Sequence, residues 1–286
     1  MLEKESLVNQ FQSLGICDGD VVLIRAALSK VGVLSGGPSI VLEALKEAVG
    51  KSGTVVALGF SKLYFRSNMN PEYAFTSDAP TNDGAIAKIF MRDGDCERSC
   101  HPTNSFLAIG PEASSILAAH DAKSKSYSPM NQLLKLDAKM VVIGCVGSSP
   151  GFTTVHLAQE NLGLTSKSWF SGLFGQYYYS EGKCTRYIKK DFGGCSAGFN
   201  KFYHEYLAKE CLRIGYVGEA YSMAINCRDA YDIEYIKLKE NNTYHLCDNP
   251  RCVSCRVSWK NNLGGIPKFL YASFINILKQ KILRSW

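Results

Sequence analysis

The sequence predicts an α/β fold, on three observations. Between Val21 and Leu58 a strand, a glycine-rich loop, a helix and a second strand follow one another, the order of a right-handed βαβ unit with parallel strands. A second apolar run, residues 141–146, breaks into turn chemistry at 147–151 and reopens as a helix carrying His156. Beyond that helix the chain changes character. Residues 169–190 are rich in Gly, Tyr and Phe and mix basic with β-forming side chains, which predicts hairpins.

Each element follows from its own residues. Residues 2–14 have the spacing of a short amphipathic helix closed by Gly15, and Asp18-Gly19-Asp20 is a turn before the buried strand 21–24. Pro38 suits the first turn of the helix 39–49, which Gly50 and Gly53 stop ahead of the strand 54–58. Residues 63–82 show no period and read as a long loop lining a site. A helix over 84–92, a polar loop running into a strand over 98–110, and a helix over 112–119 follow. Residues 133–136 lead into the strand before His156, and Thr153 or Thr154 is placed to cap its helix. Further on, 199–212 reads as a helix and 220–244 mixes strand and helix signals. The expected division is a domain over 1–225 and an extension over 226–286.

Composition narrows the function. At 286 residues the chain can bury a large core, and 46% hydrophobic with 20% charged residues is ordinary for a folded protein. The net charge of +6 comes without a dense basic stripe interleaved with aromatics, which argues against a nucleic-acid partner and suits a small anionic ligand. The charged, amphipathic start is neither a signal peptide nor a membrane span, and eleven cysteines without a leader imply a reducing cytoplasm.

Three local patterns carry chemistry. His156 stands in the first turn of a helix after a strand, where an open α/β sheet presents its crevice. The helix dipole there favours a neutral imidazole able to accept a proton; a structural histidine is the plainer alternative. Gly36-Gly37-Pro38-Ser39 precedes a helix, so its N–H groups can meet a phosphate, although it lacks the dinucleotide and Walker spacings and a tight turn would use the same glycines. The loop from Arg98 to Ser105 packs Arg, Ser, His, Thr and Asn donors together, for a phosphate or for its own internal hydrogen bonds.

In this order the pieces resemble the aminoglycoside 3-N-acetyltransferases, the antibiotic N-acetyltransferases distinct from the GNAT superfamily. The resemblance runs through Leu28-Ser29-Lys30-Val31-Gly32, Gly36-Gly37-Pro38, Gly84-Ala85-Ile86-Ala87, Arg98-Ser99-Cys100-His101-Pro102-Thr103-Asn104-Ser105-Phe106 and Ser128-Pro129. It closes on Thr154-Val155-His156-Leu157-Ala158 and Gly215-Tyr216-Val217-Gly218-Glu219-Ala220. It implies an acyl-CoA-dependent N-acyltransferase on a mixed, partly parallel sheet flanked by helices, with His156 as base steadied by a carboxylate. Coenzyme A is then expected near Ser29, Lys30, Val31, Gly36 and Gly37 and along Arg98, Ser99, His101, Thr103 and Ser105. Ser105 or backbone N–H groups would stabilise the oxyanion.

The departures from the family pattern shape the expectations. Where the family commonly has His-Ser-Ser-Leu this chain has Arg25-Ala26-Ala27-Leu28, and the family's His-Leu-Ala-Glu becomes His156-Leu157-Ala158-Gln159. Because Gln159 carries no charge, Asp191 is the expected partner of His156, with Glu160 in reserve. The basic side chains Lys183, Arg186, Lys189 and Lys190 favour an anionic acceptor, a nucleotide-linked amino sugar of surface polysaccharide synthesis such as a dTDP-3-amino-3,6-dideoxyhexose. An aminoglycoside is the alternative acceptor, a ping-pong route through Cys100 or Cys145 the alternative mechanism, and an inactive binding module a third reading.

Two features lie beyond the resemblance. His245, Cys247, Cys252 and Cys255 offer four soft ligands within eleven residues, suited to a structural zinc; a loop of reduced thiols is the alternative. Residues 265–286 form a basic amphipathic helix, with Phe269, Leu270, Phe274, Ile275, Leu278 and Ile282 against Lys268, Lys279, Lys281 and Arg284. It is expected to dock on its own domain or a sister subunit, with an anionic membrane surface as the alternative.

Overall fold

A computed structural model describes residues 1–284. Seven strands form the main sheet in the order β4-β5-β2-β1-β6-β10-β9: β1 Val21–Ala26, β2 Thr54–Leu58, β4 Glu97–Arg98, β5 Phe106–Ile109, β6 Lys139–Ile143, β9 Arg213–Val217 and β10 Ala220–Asn226. The centre is parallel, β1 pairing β2 on one side and β6 on the other, while β5, β4, β10 and β9 add on antiparallel. The sheet is therefore mixed, as the resemblance implied. The predicted hairpin also forms: β7 Phe174–Ser180 and β8 Lys183–Ile188 pair antiparallel and carry the short β3 Tyr64–Phe65 as a second sheet.

Side-chain alternation explains the layers. In β1, Val22 and Ile24 face one core and Val21 and Leu23 the other, and Val141 and Met140 divide in the same way in β6. The first core is covered by α1 Lys4–Ser13, α2 Ile40–Val49 and α3 Ala85–Phe90 through Leu7, Phe11, Val41, Leu45 and Phe90. The second is covered by α4 Ala113–Leu117, α5 Pro129–Lys135, α6 Thr154–Asn161, α7 Phe202–Ala208 and α8 Cys227–Glu240.

Three boundaries shift from expectation. β6 starts two residues earlier and ends at Ile143, because Gly144 takes a left-handed turn there. The helix expected over 199–212 is shorter, as α7 ends at Ala208. Asn226 caps α8, which packs into the second core through Cys227, Ala230 and Leu238. The main fold thus continues through Glu240 rather than stopping at residue 225. After it come the short α9 Val253–Arg256 and the long α10 Gly265–Arg284.

Along α10, Leu270, Tyr271 and Phe274 are exposed, at 60%, 70% and 59%, while Phe269 and Ile275 are half-buried; the side chains of Lys279, Lys281, Ile282 and Arg284 lie outside the described residues. Among the described residues, no helix is long and apolar enough to cross a membrane.

Candidate active site

The ends of β1, β2 and β6 open into a cleft of linked cavities. One, of about 200 Å³, is lined by Arg25, Phe60, Asp83, Tyr127, Thr153, His156, Ser196 and Phe199 among others. A second, of about 210 Å³, shares Arg25, Leu58, Asp83 and Ser149 with it and reaches Cys145. A third, of about 180 Å³, shares Phe60 and Tyr127 and is closed by Lys189, Gly193 and Gly194.

His156 enters the cleft from the first turn of α6. Its ring stacks on Tyr127 at 4.6 Å and meets Phe199 edge-on at 4.9 Å. Nδ1 lies 2.9 Å from Gln159 Oε1, one helical turn on, and Nε2 makes no hydrogen bond among the described residues. With Nδ1–H donated to the amide oxygen, the lone pair sits on Nε2. Burial lowers the pKa to about 4, Arg25 and Lys189 pushing the same way against the Gln159 hydrogen bond. The imidazole is neutral at pH 7, as expected. Neither threonine caps the helix by its side chain; Thr154 Oγ1 donates to Glu234 instead, at 2.9 Å.

The partner of His156 differs from the expectation. Asp191 accepts from Ser126 N at 2.7 Å and lies 3.3 Å from Lys189 Nζ. Glu160 accepts from Tyr127 N at 3.1 Å, and neither carboxyl bonds to the imidazole. Their ionisation is split instead: burial and Asp191 raise Glu160 to about 9, while Lys189 holds Asp191 well below the usual carboxylate range. This is a buried charge cluster behind the site. Gln159 takes the partner's place because it lies one turn from His156, whose Nδ1–H needs only the acceptor that the amide oxygen supplies.

The polar loop from Arg98 to Ser105 is satisfied from within. Arg98 Nε donates to Ser105 Oγ at 2.9 Å, Nη2 to Gly59 O at 2.6 Å, and Nη1 to Ala79 O and, at 3.3 Å, to Ser77 O. Ser105 Oγ donates to Gly59 O at 2.5 Å, so its proton is not aimed at an oxyanion. Ser99 Oγ pairs with His120 Nδ1 at 2.9 Å, and His101 accepts from Asn104 N and meets the Tyr187 hydroxyl at 3.2 Å. Only Thr103 and Asn104 of this loop reach a cavity of the cleft. Arg98 and Ser105 spend donors on carbonyls of other segments and Ser99 pairs with His120, so the loop frames the cleft and its arginine is not free to clamp a phosphate.

The Gly36-Gly37 turn is different. Both residues are left-handed, at φ +86°, with open space where a side chain would be, and they stand just ahead of α2. The backbone there is open to close approach, with Ser29 and Lys30 exposed after β1 and Val31 buried in the core.

Several site residues escaped the sequence reading. Arg25, noted only as a departure, donates to Gly151 O at 2.9 Å and to Ser149 O at 2.8 Å, fixing the turn that launches α6. Asp83 lines two of the cavities and accepts from Phe60 N at 2.5 Å; burial raises it to about 6 against the pull of Arg25 and Arg98. Tyr127 and Asp83 each directly precede a matched motif, Ser128-Pro129 and Gly84-Ala85, and that adjacency was the available signal. Cys145 is buried with its thiol raised, so it is no thiolate nucleophile, and Cys100 is exposed.

A buried imidazole with no hydrogen bond at Nε2 thus lines a cleft at the ends of parallel strands, the place where open α/β sheets hold their ligands. A family model described as aminoglycoside 3-N-acetyltransferase matches residues 23–237. The aminoglycoside N(3)-acetyltransferase IV of Salmonella sp is 29% identical over 230 residues, covering 79% of this chain and 83% of the relative. The crystal structure of a histidine-to-alanine mutant of aminoglycoside acetyltransferase AAC(3)-IVa in complex with a gentamicin superposes at a TM-score of 0.74, 25% identical, over 90% of this chain and 97% of that one. AAC-IIIb with CoASH shares the fold at a TM-score of 0.72 and 22% identity, over 84% and 97%. The chain belongs to the aminoglycoside 3-N-acetyltransferase family, and it is an acyl-CoA-dependent N-acyltransferase of that class.

Proposed function

We propose that this protein transfers an acetyl group from acetyl-CoA to an amine of an aminoglycoside, with His156 as general base. The observation that carries the reading is the His156–Gln159 pair at the cleft, which leaves Nε2 as the only unengaged base on the ring. As the amine attacks the thioester carbonyl, its N–H becomes strongly acidic. An imidazole weakened by burial can then take that proton, and collapse of the tetrahedral adduct expels the CoA thiolate and leaves the amide. The Gly36-Gly37 turn and Lys30 would receive the anionic end of coenzyme A.

The charges of the cleft favour a cationic acceptor over a nucleotide sugar. Lys183, Arg186 and Lys190 line none of the three cavities, and Lys189 is neutralised by Asp191. Asp83 puts a carboxylate into the cleft, which suits an ammonium. The basic hairpin that favoured a pyrophosphate is thus removed from the reacting centre.

The test is thiol release from acetyl-CoA with gentamicin, apramycin or a dTDP-amino sugar as acceptor, in wild type and His156→Ala. Turnover with the aminoglycosides that the variant loses supports the reading. Turnover confined to nucleotide sugars would overturn the acceptor, and turnover unchanged in the variant would overturn the base.

A further inference from the structure

Four cysteine thiols converge on the far side of the loop that closes the cleft. The Sγ atoms of Cys195, Cys247, Cys252 and Cys255 all lie within 4.8 Å of one another. The sequence offered the last three with His245, and the structure replaces the histidine with Cys195 from far upstream. His245 is buried edge-on against Trp259, its ring centroid 4.7 Å away, and lies outside the thiol group.

We propose that these four thiolates hold one zinc ion, which pins the segment 192–196 against His156. A tetrahedral site with Zn–S bonds of about 2.3 Å has sulfur–sulfur edges of about 3.8 Å, so the four sulfurs need to close by about 1 Å at most. Disulfides would need pairs of these sulfurs to close to about 2.05 Å. Backbone donors already point at the sulfurs: Cys247 N lies 3.4 Å from Cys255 Sγ, and Ala197 N 3.3 Å from Cys195 Sγ. Two cations gather on the same segment. Arg256 Nη2 donates to Cys247 O, and Lys201 Nζ to Leu246 O at 2.8 Å. Metal binding would release the thiol protons to solvent and leave a tetrathiolate whose excess negative charge Arg256 partly offsets, Lys201 being already paired with Asp248 at 2.7 Å.

The surrounding structure has little else to hold it. Residues 241–264 contain no strand and one helix of four residues, α9. Their fully buried apolar contacts are Leu246, Cys247, Cys255 and Trp259 with Leu164, a core small enough that natural proteins usually staple it. The fourth thiol ties this module to the catalytic side. Cys195 follows Gly193, where a Cβ would lie 2.8 Å from His156 Nδ1, and Gly194, where one would lie 3.0 Å from Trp259. It precedes Ser196, which lines the His156 cavity. Cys195 is thus a positioning residue: a metal bond on it fixes both neighbours.

Metal content decides the first half of the proposal. Protein purified without chelator should carry one zinc per chain by elemental analysis, and cobalt exchange should give the visible bands of a tetrahedral tetrathiolate. Cys195→Ser should weaken zinc by more than about 100-fold, beyond the loss of an outer-shell partner, whereas Cys184→Ser, exposed and outside the group, should keep it. Should the Cys195 variant fail to fold, competition of wild-type protein with a chromophoric chelator reads the same affinity. For the second half, which rests on His156 as base, zinc removal should lower kcat with KM nearly unchanged, and zinc alone should restore it. Metal-free protein with four free thiols, a disulfide within the group, or zinc retained by Cys195→Ser would each overturn the site; kcat indifferent to zinc would overturn the positioning. The metal readouts use no substrate, so they stand or fall independently of the acceptor.

Discussion

Replacing Gln159 with glutamate tests how the group facing Nδ1 tunes an imidazole that burial holds neutral. The substituted carboxylate would meet Nδ1 at the 2.9 Å now spanned by the amide oxygen. At an effective dielectric near 20, two unit charges at that separation attract by about 6 kcal/mol, and buried carboxylates beside a titrating group shift it by about 1–3 units. The wild-type imidazole sits at about 4, so Gln159→Glu should bring it to roughly 5–7. Gln159 is fully buried, so the new carboxyl and the imidazole will titrate as a pair. The assay is an NMR titration of the imidazole between pH 5 and 8, with thiol-release rates on the same samples. Wild type should show a neutral ring throughout; the variant should titrate inside the window, and its rate should fall on the acid side of that midpoint. A variant ring that stays neutral to pH 5, or a Gln159→Leu protein with unaltered kcat, would refute the reasoning.

Further outcomes follow from the geometry. His156→Ala should cost about 10²–10⁴ in kcat with the KM for acetyl-CoA nearly unchanged, read by steady-state kinetics. Gly193→Ala would crowd His156 Nδ1 at 2.8 Å and should lower kcat or cost about 1–3 kcal/mol of stability, whereas Gly94→Ala, with open space around it, should do neither. Arg98→Ala should unpair buried carbonyls and lower Tm, while the folded fraction keeps its KM for acetyl-CoA, because the guanidinium is committed inside the protein. Burial holds His120 and His156 at about 4, below the ~6.5 of an unfolded chain, so their contribution is complete above about pH 6.5 and is lost as pH falls toward 4. Glu160 acts in the opposite sense: its protonated form, held up to about 9, is stabilising below the unfolded value and is lost as pH rises. Glu160→Gln should remove that alkaline slope in denaturant titrations and leave catalysis intact.

The fold was legible because its signals are local. The βαβ unit, the aromatic hairpin and the strand before His156 each follow from periodicity and turn residues within some thirty positions of chain. What the sequence could not show is where a donor's partner lies. Arg98 and Ser105 look like ligand groups until Gly59 and Ala79, brought in from other segments, take their hydrogens. Lys183 and Arg186 look like a pyrophosphate site until the hairpin carries them away from the cleft. Cys195 was missed for the same reason, since nothing in the spacing of one isolated cysteine points to a trio fifty residues downstream.

The error over Gln159 has a different origin. Its spacing from His156 was visible, one helical turn along the same face, and it was set aside because it carries no charge. That reasoning assumed the imidazole needs a counter-ion, which holds for a base that rests as imidazolium. Here burial has already put the ring in its neutral form, and the remaining requirement is to choose which nitrogen carries the proton. An amide oxygen at 2.9 Å from Nδ1 does that. A carboxylate in its place would add stabilisation only after the proton has been taken, so exchanging one for the other should move the titration of the site more than its geometry.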